Sequence, residues 1–187
     1  MQTLYYLGYF GVIVWAIIPF RQYKNKYFIY FLTWVCADLF ALAARFIFHS
    51  GTNVFFAPLS FLALVSLLNF ETTKKYLWAV IILFILSIML SLKDNLWVMT
   101  VILIHLFILG FFLKDIIVSL NKNYIINIFV LLLAFYEITV VAKNINYLTG
   151  FTNDYYYYII TNIFEIIFGL FFIIFKADDG RLILRFK

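Results

Sequence analysis

Long apolar runs separated by short polar interruptions make up the whole chain. The runs cover residues 4–20, 27–48, 54–70, 76–92, 96–113, 124–142 and 155–175. About 20 apolar residues at 1.5 Å rise per residue cross the roughly 30 Å hydrocarbon core of a bilayer. The pattern therefore predicts seven transmembrane helices. Pro19 closes the first run, and Pro58 falls in the first turn of the third, where proline is tolerated. The first run has no basic residue before it and no small-residue cleavage site after it, so it reads as a retained span rather than a secretory signal. Polar connections are brief, the longest being the stretch 143–154, expected outside the membrane. The last run carries its polar groups on one side. Helical spacing puts Tyr158, Thr161, Asn162, Glu165 and Gly169 on one face, with Phe and Ile filling the rest. An acid at that depth has to face protein or water, so this helix needs partners from the other spans.

Composition excludes a soluble reading. Of 187 residues 66% are hydrophobic and 12% charged, against about 45–50% and 25% in soluble domains. The expectation is an all-α polytopic membrane protein, a single seven-helix domain over residues 1–187. A lone cysteine, Cys36, rules out an internal disulfide and a multi-cysteine metal site, and it reads as a packing residue. The excess of Ile, Phe, Tyr, Asn and Lys points to an AT-rich bacterial genome, and so to the inner membrane.

Charge orients the spans. Lys and Arg concentrate in cytoplasmic loops. Of 14 such residues, eleven follow the odd-numbered spans: Arg21, Lys24 and Lys26; Lys74 and Lys75; Lys114 and Lys122; and Lys176, Arg181, Arg185 and Lys187. Lys93 and Lys143 fall on the opposite side, and Arg45 lies within a span. The N-terminus is thus expected outside and the C-terminus in the cytoplasm. The net charge of +5 is accounted for by topology, so no nucleic-acid partner is expected. Trp78, Trp97 and Tyr155 to Tyr158 lie near span ends, as interfacial aromatics do.

Five ionisable residues fall within spans: Asp38, Arg45, His105, Glu137 and Glu165. With Asn162 they form the candidate site, a polar pocket opening to the outside and built mainly from spans two, six and seven. Asp38 and Arg45 share a helical face about 10 Å apart along the axis. The plainer alternative is that buried charges pair to hold helices together, Arg45 with Glu137 or Glu165, at about 0.6–2 kcal/mol per polar contact. Three carboxylates against one permanent cation leave an imbalance. It has to be relieved by a protonated carboxyl, a protonated His105, a bound cation or a cationic ligand. A mid-span histidine is more often a helix–helix hydrogen-bonding group than a metal ligand. Asn69, Asn127 and Thr139 read as span ends or helix contacts.

Several chemistries lack their motifs. The sequence has no His-Glu-x-x-His, no Gly-rich phosphate loop and no nucleophile elbow. A retinal protein needs a mid-membrane lysine in its last span, and Lys176 lies at the end of this one. No cofactor and no metal are implied. Arg21, the Asp38 to Arg45 segment and Asn53-Val-Phe-Phe-Ala-Pro-Leu-Ser60 resemble small multi-span membrane proteins of unknown function in Bacteroidota, over roughly the first third of the chain. That resemblance implies an origin and a span count, and no mechanism.

The function expected from sequence is non-enzymatic. It is a sensor-like or accessory subunit of an inner-membrane complex, with the bilayer and other membrane proteins as partners. The alternative is a small transporter or channel passing cations or protons along Asp38, Glu137 and Glu165. A third possibility is an intramembrane enzyme acting on lipid through paired carboxylates.

Overall fold

A computed structural model describes residues 2–48, 55–68, 70–93, 96–152 and 155–186; for residues 2–5, 45–48, 70 and 72 it describes the backbone alone. Eight α-helices occur among the described residues: α1 (Gln2–Arg21), α2 (Phe28–Phe48), α3 (Phe56–Ser66), α4 (Phe70–Lys75), α5 (Leu77–Ser91), α6 (Leu96–Asn123), α7 (Ile128–Thr149) and α8 (Tyr155–Ile174). By length and composition α6, α7 and α8 can cross a membrane, and shorter apolar helical segments run over Tyr6–Arg21, Phe28–Ala44, Phe56–Ser66 and Leu77–Ser91. The fold is all-α, as its hydrophobic pattern requires.

α1 packs against α8 and α2, while α6 packs against α7, α3 and α5. Gly169 on α8 permits the first of these contacts. A Cβ there would stand 2.7 Å from Val14 Cγ1 and 3.2 Å from Trp15 Nε1, so α1 could not lie as close to any other residue. Trp15 Nε1 then donates to the Glu165 carbonyl oxygen at 3.2 Å. The outer surface is apolar. α5 makes this plain, because its buried residues are Ser87 and Ser91, whereas Ile82, Ile85 and Met89 face outward. Polar-inward, apolar-outward helices suit a lipid surround, where an unpaired hydroxyl is costly and an exposed isoleucine is not. Both serines also satisfy themselves on helix carbonyls, at 2.7 Å each.

One end of the bundle is a packed aromatic core. Tyr30, Phe31, Phe112, Phe129 and Phe172 are fully buried. Phe129 and Phe172 have ring centroids 4.9 Å apart, Phe31 and Phe172 5.3 Å, and Tyr30 and Phe112 5.7 Å. Gln22, just past α1 and wholly buried, ties the end of α8 into this core. Its Nε2 donates to the carbonyls of Phe172 and Phe175 at 2.8 Å each, and its Oε1 accepts from Ala177 N–H at 3.3 Å. Arg21 adds bonds to the Ile173 and Ile174 carbonyls. Helix ends leave carbonyls without intrahelical partners, and these two side chains supply them.

Three expectations need correction here. The sixth span, expected over 124–142, lies at 128–149. Asn127 caps its start by accepting from Phe129 N–H at 2.9 Å, and Gly150 ends it in the left-handed region, φ 61°. Lys143 therefore sits inside a helix and not in an outer loop, and most of the 143–154 stretch is helical. Second, the chain after 175, for which the pattern marks only basic residues, is folded. A 3-10 turn, Gly180–Leu182, leads to β2 (Ile183–Arg185), which pairs antiparallel with β1 (Ile125–Asn127) in the register Ile126 to Leu184. Arg181 binds Asp179 there at 2.7 Å and holds that carboxyl down at about 2. Third, Cys36 is exposed rather than packed. The His49 to Asn53 turn, Asn69 and the Asp94-Asn95 turn lie outside the described residues.

Candidate functional site

The end of the bundle opposite the aromatic core is hollow. A cavity of about 370 Å³ lies between the starting halves of α1, α3, α6 and α8, the middle of α2 and the middle and end of α7. Its polar wall is made by Asp38, Lys143, Asn162 and Glu165, with Ser60 and His105 deeper, and Trp15, Trp34, Trp97, Tyr136, Tyr147 and Tyr158 supply aromatic faces. Each polar group is placed by helical phase. Asn162 and Glu165 stand one turn apart on α8, and Lys143 reaches them from α7.

Lys143 Nζ donates to Asn162 Oδ1 at 2.9 Å and to the two Glu165 oxygens at 3.0 and 3.2 Å. Both charged side chains are partly exposed, 31% for the lysine and 24% for the glutamate, so this pair borders the hollow. Asp38 is within electrostatic range of both, yet among the described residues it accepts no hydrogen bond. The cavity wall thus carries one neutralised pair and one carboxylate without a hydrogen-bonding partner among the described residues.

Below the wall a second constellation is almost wholly buried, with Ser60 and His105 reaching the cavity and Glu137 behind them. His105 Nδ1 lies 2.6 Å from Glu137 Oε2, and Tyr30 donates its hydroxyl proton to Glu137 Oε1. Side-chain exposures of His105 and Glu137 are 2% and 0%. His105 Nε2 faces Ser60 Oγ at 3.3 Å. Trp34 stacks on the imidazole with ring centroids 5.2 Å apart. The five residues come from α2, α3, α6 and α7, so this cluster also stitches the bundle together. A buried carboxylate needs such neighbours, since an unpaired one is costly in a low dielectric.

The structure therefore places the sequence candidates in two groups. Asp38, His105, Asn162 and Glu165 border one cavity, while Glu137 lies behind His105 and does not touch it. Arg45 is on α2 with its side chain outside the described residues. Arg45 is not needed as a partner for the two glutamates, because Glu165 pairs with Lys143 and Glu137 with His105 and Tyr30. Lys143, Ser60 and the three tryptophans were missing from the candidate set. Lys143 could have been found: Gly150 is a strong stop signal, and reading the helix back from it puts Lys143 inside. Ser60 had no such mark, being one of several serines in apolar surroundings. Among the described residues no three His, Cys, Asp or Glu side chains converge as a metal site.

No family model, curated protein or solved structure matches the chain.

Proposed function

We propose that this chain is a multi-pass inner-membrane protein that binds a small organic cation in its cavity and serves as a sensor-like or accessory subunit of a membrane complex. In this reading α1, α2, α3, α5, α6, α7 and α8 are the seven crossings. The N-terminus is outside and the cavity opens outward. The distribution of basic residues supports that orientation. Arg21, Lys24, Lys26, Lys114, Lys176 and Arg181 lie at the aromatic end of the bundle, and Lys143 no longer counts as an outer-loop charge.

One observation carries the ligand class: Asp38, with no hydrogen-bonding partner among the described residues, faces a cavity walled by tryptophan and tyrosine. A quaternary or primary ammonium supplies the missing charge, and aromatic faces attract cations through their quadrupoles by about 0.5–2 kcal/mol each. Anions are disfavoured, because the wall has two carboxylates and one lysine. A transporter remains the competing reading, since the His105 to Tyr30 chain extends below the cavity. Passage would require the rings of Phe31, Phe112, Phe129 and Phe172 to part, and this packing favours binding over conduction.

Titration of the detergent-purified protein with benzyltrimethylammonium, read by tryptophan fluorescence, tests the proposal. Saturable binding is expected, weakened about tenfold or more in Asp38→Asn, as loss of a charge contact of about 1.4 kcal/mol or more implies. Equal binding of the neutral isostere neopentylbenzene would overturn the cation reading. Cation flux from liposomes at rates above the lipid background would favour the transporter.

A further inference from the structure

We propose that Ser60 is a nucleophile, and that the cavity hydrolyses a carboxylic ester by acyl transfer through Ser60, His105 and Glu137. This goes beyond binding, and it rests on the cavity alone rather than on the ammonium ligand. Ser60 Oγ and His105 Nε2 stand 3.3 Å apart, and His105 Nδ1 and Glu137 Oε2 2.6 Å apart. A nucleophile, a base and an orienting carboxylate in that sequence are what activation of a serine requires. Access divides the three in the right way: the cavity touches Ser60 and His105 but not Glu137. The second oxygen of Glu137 is held by the Tyr30 hydroxyl, and Trp34 stacks on the imidazole, so the ring has one orientation. With Glu137 accepting from both Tyr30 and His105 Nδ1–H, Nε2 is left as the acceptor for the Ser60 proton. Such a triad is recognised by geometry and not by sequence motif, and the members are 45 and 32 residues apart in the chain.

The chemistry balances with water as the only co-reactant. Ser60 Oγ attacks the ester carbonyl carbon as His105 Nε2 takes its proton. The carbon–oxygen bond to the alcohol then breaks, and the alcohol leaves with the proton from Nε2. Water, giving a proton to Nε2, attacks the acyl carbon; the bond to Ser60 breaks, and Oγ recovers that proton. Ester and water become acid and alcohol. Glu137 acts as a positioning residue and keeps its charge throughout.

The test uses the full chain in mild detergent and a neutral alkyl fluorophosphonate, which traps activated serines covalently. Mass spectrometry should find one adduct, on Ser60, and Ser60→Ala should lose it. His105→Gln should slow labelling by about 10³-fold or more, and Glu137→Gln by a comparable factor, with part of the rate recovered in Glu137→Asp. A purely structural carboxylate would give no such recovery of rate. Melting temperatures identify any variant that fails to fold, and the wild-type adduct site stands without the variants. Absence of an adduct on Ser60 in a protein that melts cooperatively would overturn the proposal, as would labelling at the same rate in a folded His105→Gln protein. Ammonium binding without labelling in one preparation would reject the nucleophile alone, and labelling without ammonium binding would reject the cation site alone.

Discussion

Glu137→Leu should cost the protein about 2–6 kcal/mol, at about 1–3 kcal/mol for each buried hydrogen-bonding group left without its partner. The change strands two groups at once. Tyr30 loses the acceptor for its hydroxyl, and His105 loses the carboxylate at Nδ1, and both side chains are almost wholly buried. Against a typical stability of about 5–15 kcal/mol, that is a large fraction. Glu137→Gln keeps an acceptor and should cost less. Asp38→Leu provides the internal contrast. Asp38 has no hydrogen bond among the described residues to lose, so that variant should melt within a few degrees of the parent. Denaturant or thermal unfolding in one detergent compares the three. Equal melting of Glu137→Leu and Asp38→Leu would show that the buried cluster does not hold the bundle together.

The second large effect is indirect. Glu165→Gln should weaken organic-cation binding strongly, although the proposed cation contact is Asp38. Lys143 divides its donors between Asn162 and the two Glu165 oxygens. An amide cannot neutralise it, and the freed ammonium then faces Asp38 as the remaining carboxylate of the wall. The lysine would occupy the role reserved for the ligand, and affinity should fall by about 10- to 100-fold, or 1.4–2.8 kcal/mol. A second change, Lys143→Met, removes the competing charge. The double variant Glu165→Gln/Lys143→Met should therefore bind more tightly than Glu165→Gln alone, a coupling that distant, independent sites do not show. Equal titration curves for the single and double variants would mean that Lys143 never competes for Asp38.

Helix positions were largely legible in the chain because apolar length alone marks a helical run in this kind of protein. What the pattern could not place were ends and continuations. Ile125 to Asn127 belong to a strand, yet they lead into the apolar run of α7 without any change of period, so periodicity does not separate the two. The partner strand, Ile183–Arg185, is three residues of mixed character whose pairing depends on a contact far away in sequence. The third run proved shorter than its apolar stretch, because helix α3 stops at Ser66 and α4 begins at Phe70.

The candidate site was half legible for a related reason. Asp38, Glu137 and Glu165 stand out as acids in apolar runs, and that cost alone marks them. Their partners do not stand out. Tyr30 is one of 14 tyrosines, and nothing in sequence tells which one reaches Glu137. Lys143 reads as a loop residue because a lysine followed by Asn144 and Asn146 looks like a span end. In the fold Asn146 instead organises the turn, accepting from Thr152 N–H at 2.8 Å and donating to the Thr152 carbonyl at 2.9 Å. Spatial adjacency of Lys143 to Glu165, 22 residues on, follows only from α7 and α8 packing together.

Cysteine accessibility tests most directly whether a cavity opens on the outer side of the membrane. Asn162→Cys, made in a Cys36→Ala background, puts a thiol on the cavity wall. In intact cells a membrane-impermeant maleimide should label it from outside, and benzyltrimethylammonium should slow that labelling. Labelling only after the cytoplasmic face is exposed, or labelling from outside that the ammonium leaves unchanged, would contradict the account.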